Sequence, residues 1–406
     1  MSPPHRRPRD VLIVGGSLAG LRAAETLRAE GFTGALTIVG DEHHAPYDRP
    51  PLSKQFLSTG GEPPDTRLPV PGDLHARWLL GQAAAALDPR SRTVTLADGT
   101  PLTYDGLLIA TGASARGLPG TPDGVYTLRN RSDAEALREA LGSCRRLLVV
   151  GAGFLGSEVA AAGRARGLDV TLVEAGAVPL ERAVGKEVGA FVGELHREAG
   201  IILRTGTTVT RFSSDPAGGL TGALLADGTA VAADVAVLAL GAVPAADWLT
   251  GSGLRTGGGV HCDSRMRALS LDGGVVPGVV VAGDVAKAPQ RLAGGAALSL
   301  GHWSDAAGQA ASAARTLLLG EAGPPWDGIP SFWSDLHGAR IRSVGLPGIA
   351  DTVAIHEMDL STRRLEAGYH RSGRLVGALT LGRTARLAAY RNRLADTASR
   401  AEGAPG

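Results

Sequence analysis

The sequence predicts an α/β protein with two Rossmann-like dinucleotide-binding domains, the first of them discontinuous, and a C-terminal α+β domain. One observation is a repeated unit: an apolar strand, at residues 11–14 and again at 147–150, runs into a glycine-rich turn, GGSLAG at 15–20 and GAGFLG at 151–156. A second is that each turn leads into an alanine-rich helical stretch and then into another apolar strand that ends on an acid. Backbone amides at such a helix start can hold a pyrophosphate, and the acid can hold an adenosine ribose.

The two copies place comparable residues at comparable points. These are Gly15, Ser17, Gly20, Asp41 and Glu42 in the first copy, and Gly151, Gly153, Gly156 and Glu174 in the second. Ser17 stands where a glycine is usual, and its small hydroxyl still permits a phosphate to approach. Asp41 and Glu42 are both candidates for the ribose of the first nucleotide.

The repeat extends beyond the glycine turns, which matters because a single GxGxxG is a weak signal. The segment LADGT recurs at 96–100 and 225–229, and each Asp-Gly pair is typical of a hairpin turn. Each copy is followed by an apolar strand that ends in a glycine, Gly112 in one case and Gly241 in the other. Two related modules that each bind a dinucleotide predict electron transfer between two cofactors.

A late strand indicates that the first domain is discontinuous. Residues 279–282 form an apolar run that ends on Gly283 and Asp284, and a helix follows at about 301–320. The second module is complete by Gly241, so we assign this strand to the first module. The predicted division is a first dinucleotide-binding domain at 1–111, an inserted dinucleotide-binding domain at 112–234, a return to the first domain at 235–322, and a C-terminal domain at 323–406.

The C-terminal domain is predicted from alternating apolar and polar residues. Period-two segments lie near 340–344, 353–357, 364–370 and 375–381, which is typical of an antiparallel sheet, and a helix is expected around 386–398.

Bulk composition favours a cytoplasmic enzyme, and we expect a monomer or a weak homodimer. The 406 residues carry a net charge of +1 and 20% charged residues, which indicates neither nucleic-acid nor membrane binding. No apolar run approaches the roughly 20 residues of a membrane span. Residues 1–10 are basic and proline-rich without an apolar segment, so we expect a tail and not a signal peptide. Cys144 and Cys262 are far apart, which argues against a disulfide framework or a CxxC redox pair.

Several unlike motifs resemble one known family along nearly the whole chain. They are PYDRPPLSK at 46–54, ATGA at 110–113, GFLGSE at 153–158, AGDVA at 282–286, HW at 302–303 and FWSD at 332–335. In this order they resemble the ferredoxin reductases of bacterial oxygenase systems. That group includes putidaredoxin and rubredoxin reductases and is a branch of the FAD- and pyridine-nucleotide-dependent disulfide-reductase fold.

The resemblance implies FAD in the first module, a nicotinamide in the inserted module, and further cofactor-binding residues. These are Arg49, Lys54, Thr111, Gly112, Arg129, Gly241, Gly283, Asp284, Trp303 and Trp333. Asp284 is expected on the ribityl chain of the flavin. The two tryptophans are expected to pack against its ring, although either could be a core aromatic.

The resemblance also implies two catalytic residues, Lys54 beside the flavin ring and Glu158 as its partner. A cation there stabilises the negative charge of the reduced flavin, and a carboxylate lets the cation stay ionised away from water. In the second module, Glu174 should accept a hydrogen bond from the ribose 2′-hydroxyl of NADH and repel a 2′-phosphate. Residues 175–177 offer no arginine to receive such a phosphate, so NADH is expected.

The expected function is hydride transfer from NADH to FAD, followed by single-electron transfer to an iron–sulfur ferredoxin that serves an oxygenase. The alternative acceptor is a small molecule such as a quinone, oxygen or a biosynthetic intermediate, because Gly301 stands where the family usually has an acid. A redox-sensing interaction protein with little turnover is a further alternative. A serine hydrolase built on Ser17 is disfavoured, because it would leave the duplicated acid-ended strands unexplained. For an acidic ferredoxin, candidate docking arginines are Arg291, Arg340 and Arg342.

Overall fold

The computed structural model describes residues 7–58 and 61–402. Its helices are α1 (Leu18–Ala29), α2 (Gln55–Ser58), α3 (Arg131–Ser143), α4 (Phe154–Ala165), α5 (Glu181–Glu198), α6 (Trp303–Leu319) and α7 (Arg386–Glu402). The strands of the first half are β1 (Asp10–Val14), β2 (Ala35–Gly40), β3 (Arg77–Leu80), β4 (Ala84–Asp88), β5 (Thr93–Leu96), β6 (Pro101–Thr103), β7 (Gly106–Ile109), β8 (Ala113–Ala115), β9 (Val125–Thr127), β10 (Arg146–Val150), β11 (Asp169–Glu174), β12 (Ile202–Thr205) and β13 (Val209–Ser214).

The remaining strands belong to the second half of the chain. They are β14 (Leu220–Leu225), β15 (Ala230–Ala232), β16 (Val235–Leu238), β17 (Ala242–Pro244), β18 (Val260–His261), β19 (Arg267–Leu269), β20 (Val275–Val281), β21 (Ala286–Gln290), β22 (Ala296–Leu298), β23 (Ser331–Leu336), β24 (Ala339–Gly345), β25 (Thr352–Asp359), β26 (Arg364–Arg371) and β27 (Arg374–Leu381).

The first module is built on a six-stranded sheet in the order β19-β20-β7-β1-β2-β3. Strand β1 runs parallel to β2 and to β7, and β20 runs parallel to β7. The late strand therefore belongs to the sheet of the first module, as the sequence predicted. Helices α1 and α6 pack together over this sheet, and their buried leucines and alanines share one core with the strands.

The second module repeats the arrangement in a five-stranded sheet, β12-β11-β10-β16-β9. Strand β10 pairs in parallel with β11 and β16, just as β1 pairs with β2 and β7. The two Asp-Gly turns also recur, because they join the antiparallel pairs β5–β6 and β14–β15. Both predicted hairpins are thus present.

The C-terminal segment forms an antiparallel sheet in the order β23-β24-β27-β26-β25, with α7 packed on β27 and β24. All four predicted strands are found there as β24 to β27. The sequence analysis missed β23, which carries Trp333, because a proline-rich stretch precedes it and its residues were interpreted only as a motif. The inner face of this sheet shares a core with the apolar face of α5.

The chain divides into two compact units. The first comprises residues 1–48, 67–114 and 243–331, and the second comprises residues 49–66, 115–242 and 332–406. Segment 49–66 is tied into the second unit because Arg138 donates hydrogen bonds to the carbonyls of Phe56 and Gly61, and Arg166 to that of Leu57. The four-part domain division stays a prediction. Within residues 7–58 and 61–402, no helix is long and apolar enough to cross a membrane.

Candidate active site

The two glycine turns have the same geometry because each strand passes close to its neighbour. Gly15 has φ +129° and Gly151 has φ +99°, which are conformations that glycine adopts readily. A Cβ atom on Gly15 would collide with the carbonyl oxygen of Ala110, and one on Gly151 with that of Ala239. Only glycine fits at either position. Because the turn is this tight, the helix that follows begins directly at the end of the parallel sheet.

The helix starts at these turns are open to an anion. Ser17 precedes α1 and Gly153 precedes α4, and in both cases no described side chain caps the helix and no acid lies in its first turn. By contrast, α3 is closed by a reciprocal capping box between Asn130 and Asp133. A Cβ on Gly153 would meet open space, which explains why a serine is tolerated at the matching position. Both turns therefore fit the pyrophosphate of a dinucleotide.

In the second module the acid is held in one orientation. Glu174 Oε2 accepts a hydrogen bond from the Ala152 amide at 2.7 Å, and its Oε1 accepts one from the Gly176 amide at 2.8 Å. The carboxylate thus lies against the glycine turn, where an adenosine ribose would have to pass.

In the first module a glycine occupies the corresponding position. Val14 pairs with Val39 as Val150 pairs with Val173, so the residue that matches Glu174 is Gly40. A Cβ on Gly40 would lie 3.3 Å from the Cα of Gly16. The acids of the first module therefore come one and two residues later.

Those two acids differ in their surroundings. Glu42 is half-buried and its Oε2 accepts a hydrogen bond from the Tyr47 hydroxyl at 2.5 Å, whereas Asp41 is exposed. Both stay candidates for the FAD ribose.

The strand that returns to the first module brings Asp284 to the same edge of the sheet. The preceding residue, Gly283, donates its amide to Gln309 Oε1 at 3.0 Å. A Cβ on Gly283 would lie 3.3 Å from the Cβ of Ala19 in the first turn of α1. Asp284 therefore follows β20 beside the helix start that fits a phosphate.

Two further predicted residues shape the chain after β7. Thr111 donates its hydroxyl to the carbonyl of Ala245 at 2.7 Å, and the Ala245 amide donates to the carbonyl of Gly112 at 2.9 Å. In the second module, Gly241 accepts a hydrogen bond from the Arg116 amide at 3.0 Å. The first two bonds join residues 111 and 112, just after β7, to residue 245, and the third joins residue 116 to residue 241, just before β17.

The two predicted flavin-packing tryptophans have different environments. Trp303 begins α6, and its indole Nε1 donates a hydrogen bond to Asp48 Oδ1 at 2.6 Å. Trp333 lies on β23 and is 36% exposed, which places it among the exposed large apolar side chains of the second unit. Next to it, Phe332 packs on Phe154 at the start of α4, with ring centroids 4.7 Å apart.

Lys54 and Glu158 form a buried ion pair. Lys54 Nζ lies 2.9 Å from Glu158 Oε1, and the two side chains are only 10% and 7% exposed. Lys54 follows a 3-10 turn and donates a second hydrogen bond to the Pro50 carbonyl at 3.1 Å, while Glu158 lies on α4. The ammonium group is therefore held in place by two acceptors.

Two serines that the sequence analysis missed complete this cluster. Ser334 Oγ donates to Glu158 Oε1 at 2.6 Å, and Ser53 Oγ donates to Glu158 Oε2 at 2.5 Å. Both serines are buried, so these bonds are not shared with bulk water. The only sequence signal for them was their place inside the PPLSK and FWSD motifs.

The arginines singled out in the sequence donate hydrogen bonds to backbone carbonyls or pair with acidic side chains. Arg49 Nη1 donates to the carbonyl of Arg129 at 2.9 Å, and the Arg129 amide donates to Asp133 Oδ2 at 2.8 Å. Among the expected docking arginines, Arg340 pairs with Asp335 at 2.5 Å.

Arg291 is likewise paired, since its Nη1 lies 3.7 Å from Asp327 Oδ2. These aspartates offset the charge that a docking patch would need.

Comparison with known proteins places the chain in a family. The family model described as pyridine nucleotide-disulphide oxidoreductase matches residues 9–310, and the one described as reductase C-terminal matches residues 331–404. The 5,5'-dehydrodivanillate O-demethylase ferredoxin reductase subunit of Sphingobium sp. is 34% identical over 92% of this chain and 90% of its own. The benzene 1,2-dioxygenase system ferredoxin–NAD(+) reductase subunit of Pseudomonas putida is 35% identical over 82% and 80%.

A solved structure agrees with these relatives. The putidaredoxin reductase of the covalent putidaredoxin reductase–putidaredoxin complex superposes with a TM-score of 0.88 and 30% identity, covering 96% of this chain and 93% of that one.

The fold, the two open turns and these matches define the class: the chain belongs to the pyridine nucleotide-disulphide oxidoreductase family, whose cofactors here are FAD and NADH. Within that family its relatives are the ferredoxin reductases of oxygenase systems, so the resemblance inferred from the motifs is confirmed.

Proposed function

We propose that this chain is an NADH:ferredoxin oxidoreductase that supplies an oxygenase with electrons through an iron–sulfur ferredoxin. The observation that carries the proposal is the buried ion pair between Lys54 and Glu158, of which Glu158 lies on the helix that begins at the second glycine turn. The first module would hold FAD, and the second module, whose sheet includes β16, would hold NADH. We place the reaction in the cytoplasm, where NADH is supplied. The two cysteines of the chain form no disulfide, which agrees with a reducing compartment.

The chain's own residues bind and orient the two cofactors. The amides in the first turns of α1 and α4 would hold the pyrophosphates, because those helix starts have no described side-chain cap. Asp41 or Glu42 would accept from the FAD ribose, and Asp284 from the ribityl hydroxyls. Glu174 would accept from the ribose of NADH.

The cofactor supplies the redox chemistry, since bound FAD accepts a hydride and releases electrons one at a time. Lys54 would stabilise the negative charge that reduction places on the ring, and it does so best in a site with little water. Glu158 compensates the charge of Lys54 and fixes its position, and the hydroxyls of Ser53 and Ser334 fix Glu158 in turn. The four residues therefore deliver one oriented cation.

The test combines cofactor content with acceptor use. The purified protein should contain one FAD per chain and lose its yellow colour when NADH is added without air. No new thiols should appear on reduction, because Cys144 and Cys262 form no disulfide. Ferredoxin-dependent cytochrome c reduction should then proceed with NADH. Appearance of two new thiols on reduction would contradict the direct route from flavin to acceptor.

A small-molecule reductase is the second candidate, and Gly301 is the observation that favours it. This residue is exposed, and a Cβ there would meet open space. The absence of a side chain leaves room for a small acceptor beside the start of α6. If no ferredoxin supports turnover while a quinone is reduced rapidly, this second function replaces the first.

A further inference from the structure

The loop that follows β11 has its backbone donors occupied by two carboxylates. The Gly176 amide donates to Glu174 Oε1 at 2.8 Å, and the Ala177 amide donates to Glu181 Oε2 at 2.9 Å. Glu174 ends the strand and Glu181 begins helix α5. Two acids from different elements therefore cap successive amides.

The loop is held beside the glycine turn of the second module. The Leu180 amide donates to the carbonyl of Ala152 at 3.0 Å, and the Gly206 amide donates to the carbonyl of Gly176 at 2.8 Å. These bonds attach the loop to the turn on one side and to the end of β12 on the other. The loop is thus a fixed part of the surface over which an adenosine ribose would lie.

The two carboxylates converge on one glycine. A Cβ on Gly176 would lie 2.9 Å from Glu181 Oε2 and 3.2 Å from Glu174 Oε1. Lys186 Nζ lies 3.9 Å from Glu181 Oε1, but this lysine is 74% exposed and offers little compensation. The loop consequently presents negative charge where its amides would otherwise attract an anion.

We propose that Glu181 is a specificity-determining residue that, together with Glu174, excludes a 2′-phosphate and so restricts the second module to NADH. A phosphate on the 2′-oxygen would have to displace both carboxylates from the amides of Gly176 and Ala177, and it would be repelled by them. The inference rests on the nicotinamide-binding function proposed for this module. It adds a residue that the sequence analysis did not single out.

The experiment compares two nucleotide fragments that differ by one phosphate. Binding of 5′-AMP and of 2′,5′-ADP to the FAD-loaded protein is measured by calorimetry, so that the first module is already filled. Glu181→Gln should tighten 2′,5′-ADP binding about fivefold, because one repulsive charge is removed at short range. Binding of 5′-AMP should change less than about twofold.

Two further variants control for charge and for folding. Glu198→Gln removes the same charge from an exposed position at the other end of α5 and should leave both affinities unchanged. Glu181→Asp keeps the charge and should retain the discrimination. An unchanged ratio of the two affinities in Glu181→Gln, with 5′-AMP still bound, overturns the role of Glu181. If 5′-AMP fails to bind the unaltered protein, the proposed function of the module itself is wrong.

Discussion

The two dinucleotide modules share the backbone geometry of their glycine turns and differ in character at two positions close to those turns. In both, the first glycine of the turn approaches the carbonyl of a neighbouring strand so closely that a Cβ would collide. At the end of the second strand, however, Gly40 of the first module packs against Gly16, while Glu174 of the second module accepts a hydrogen bond from the Ala152 amide. The two turns thus share one geometry, and they differ in the residue that ends the neighbouring strand, the position expected beside each ribose.

The second difference concerns the helix that follows the turn. Two residues after the third glycine, α1 carries Arg22 and α4 carries Glu158. Arg22 pairs with Glu25 on its own helix, and those side chains are 33% and 22% exposed. Glu158 is almost fully buried and binds Lys54. The equivalent position belongs to a partly exposed ion pair in one module and to the buried Lys54–Glu158 cluster in the other.

The largest expected effect comes from removing the cation of that cluster. Lys54→Met keeps the length of the side chain and removes its charge, so it should slow reduction by NADH about a hundredfold, as for loss of one preorganised donor. The flavin potential should also fall, since the reduced ring loses its charge partner. Stopped-flow reduction without air and a potentiometric titration measure both. Glu25→Gln, which breaks the surface pair of the first module, is the control. A native rate with a native potential would show that Lys54 has no such role.

A smaller effect is expected from the two serines. Ser334→Ala leaves the buried carboxylate of Glu158 without one donor, which should cost about 2 kcal/mol of unfolding free energy. Ser53→Ala should act similarly, and Glu158→Gln should affect the flavin less than Lys54→Met.

Urea unfolding of the FAD-loaded protein measures these costs. The control is Ser91→Ala, because Ser91 donates to the exposed carboxylate of Asp88 at 2.7 Å. That loss should stay below about 0.5 kcal/mol. Equal losses of unfolding free energy in Ser91→Ala and Ser334→Ala would mean that the burial of Glu158 does not strengthen its hydrogen bond to Ser334.

The selectivity of the second module should amount to at least about tenfold in kcat/KM for NADH over NADPH, or roughly 1.4 kcal/mol. Glu174→Ala should lower that ratio because the acceptor for the ribose hydroxyl is lost. Steady-state kinetics with both coenzymes measure it. A ratio that survives the substitution would assign the selectivity to other residues.

The smallest effect concerns acid stability in the second unit. His196 Nδ1 lies 2.9 Å from His337 Nε2 between α5 and the turn after β23. Burial, the neighbouring histidine and Arg197 lower the pKa of His196 to about 3, and burial, Arg363 and Arg164 lower the pKa of His337 to about 4.

Both histidines are therefore neutral in the folded chain and bind protons on unfolding below about pH 6.5. The folding stability that the neutral histidine pair contributes is therefore complete above that pH, and it is lost as the pH falls towards 4. We expect a loss of about 1 kcal/mol between pH 7.5 and 6, measured by urea unfolding. His337→Gln should flatten this dependence. An equally steep dependence in that variant would contradict the assignment.

Local patterns were enough to predict much of the molecule. The glycine turns, the hairpins, the return of β20 to the first sheet and four strands of the C-terminal sheet all follow from residues close in sequence. The Lys54–Glu158 pair was anticipated only because its motifs resemble those of a known family, since nothing in the spacing of 54 and 158 indicates contact.

The sequence by itself determined the two glycine turns that fit a pyrophosphate, because glycine conformation and strand periodicity act over a few residues. The tertiary structure decided what surrounds those sites. Ser53 and Ser334 meet Glu158 from 105 and 176 residues away in the sequence. Such contacts depend on how separate elements pack, and long-range hydrogen bonds of this kind produce no periodic pattern in the sequence.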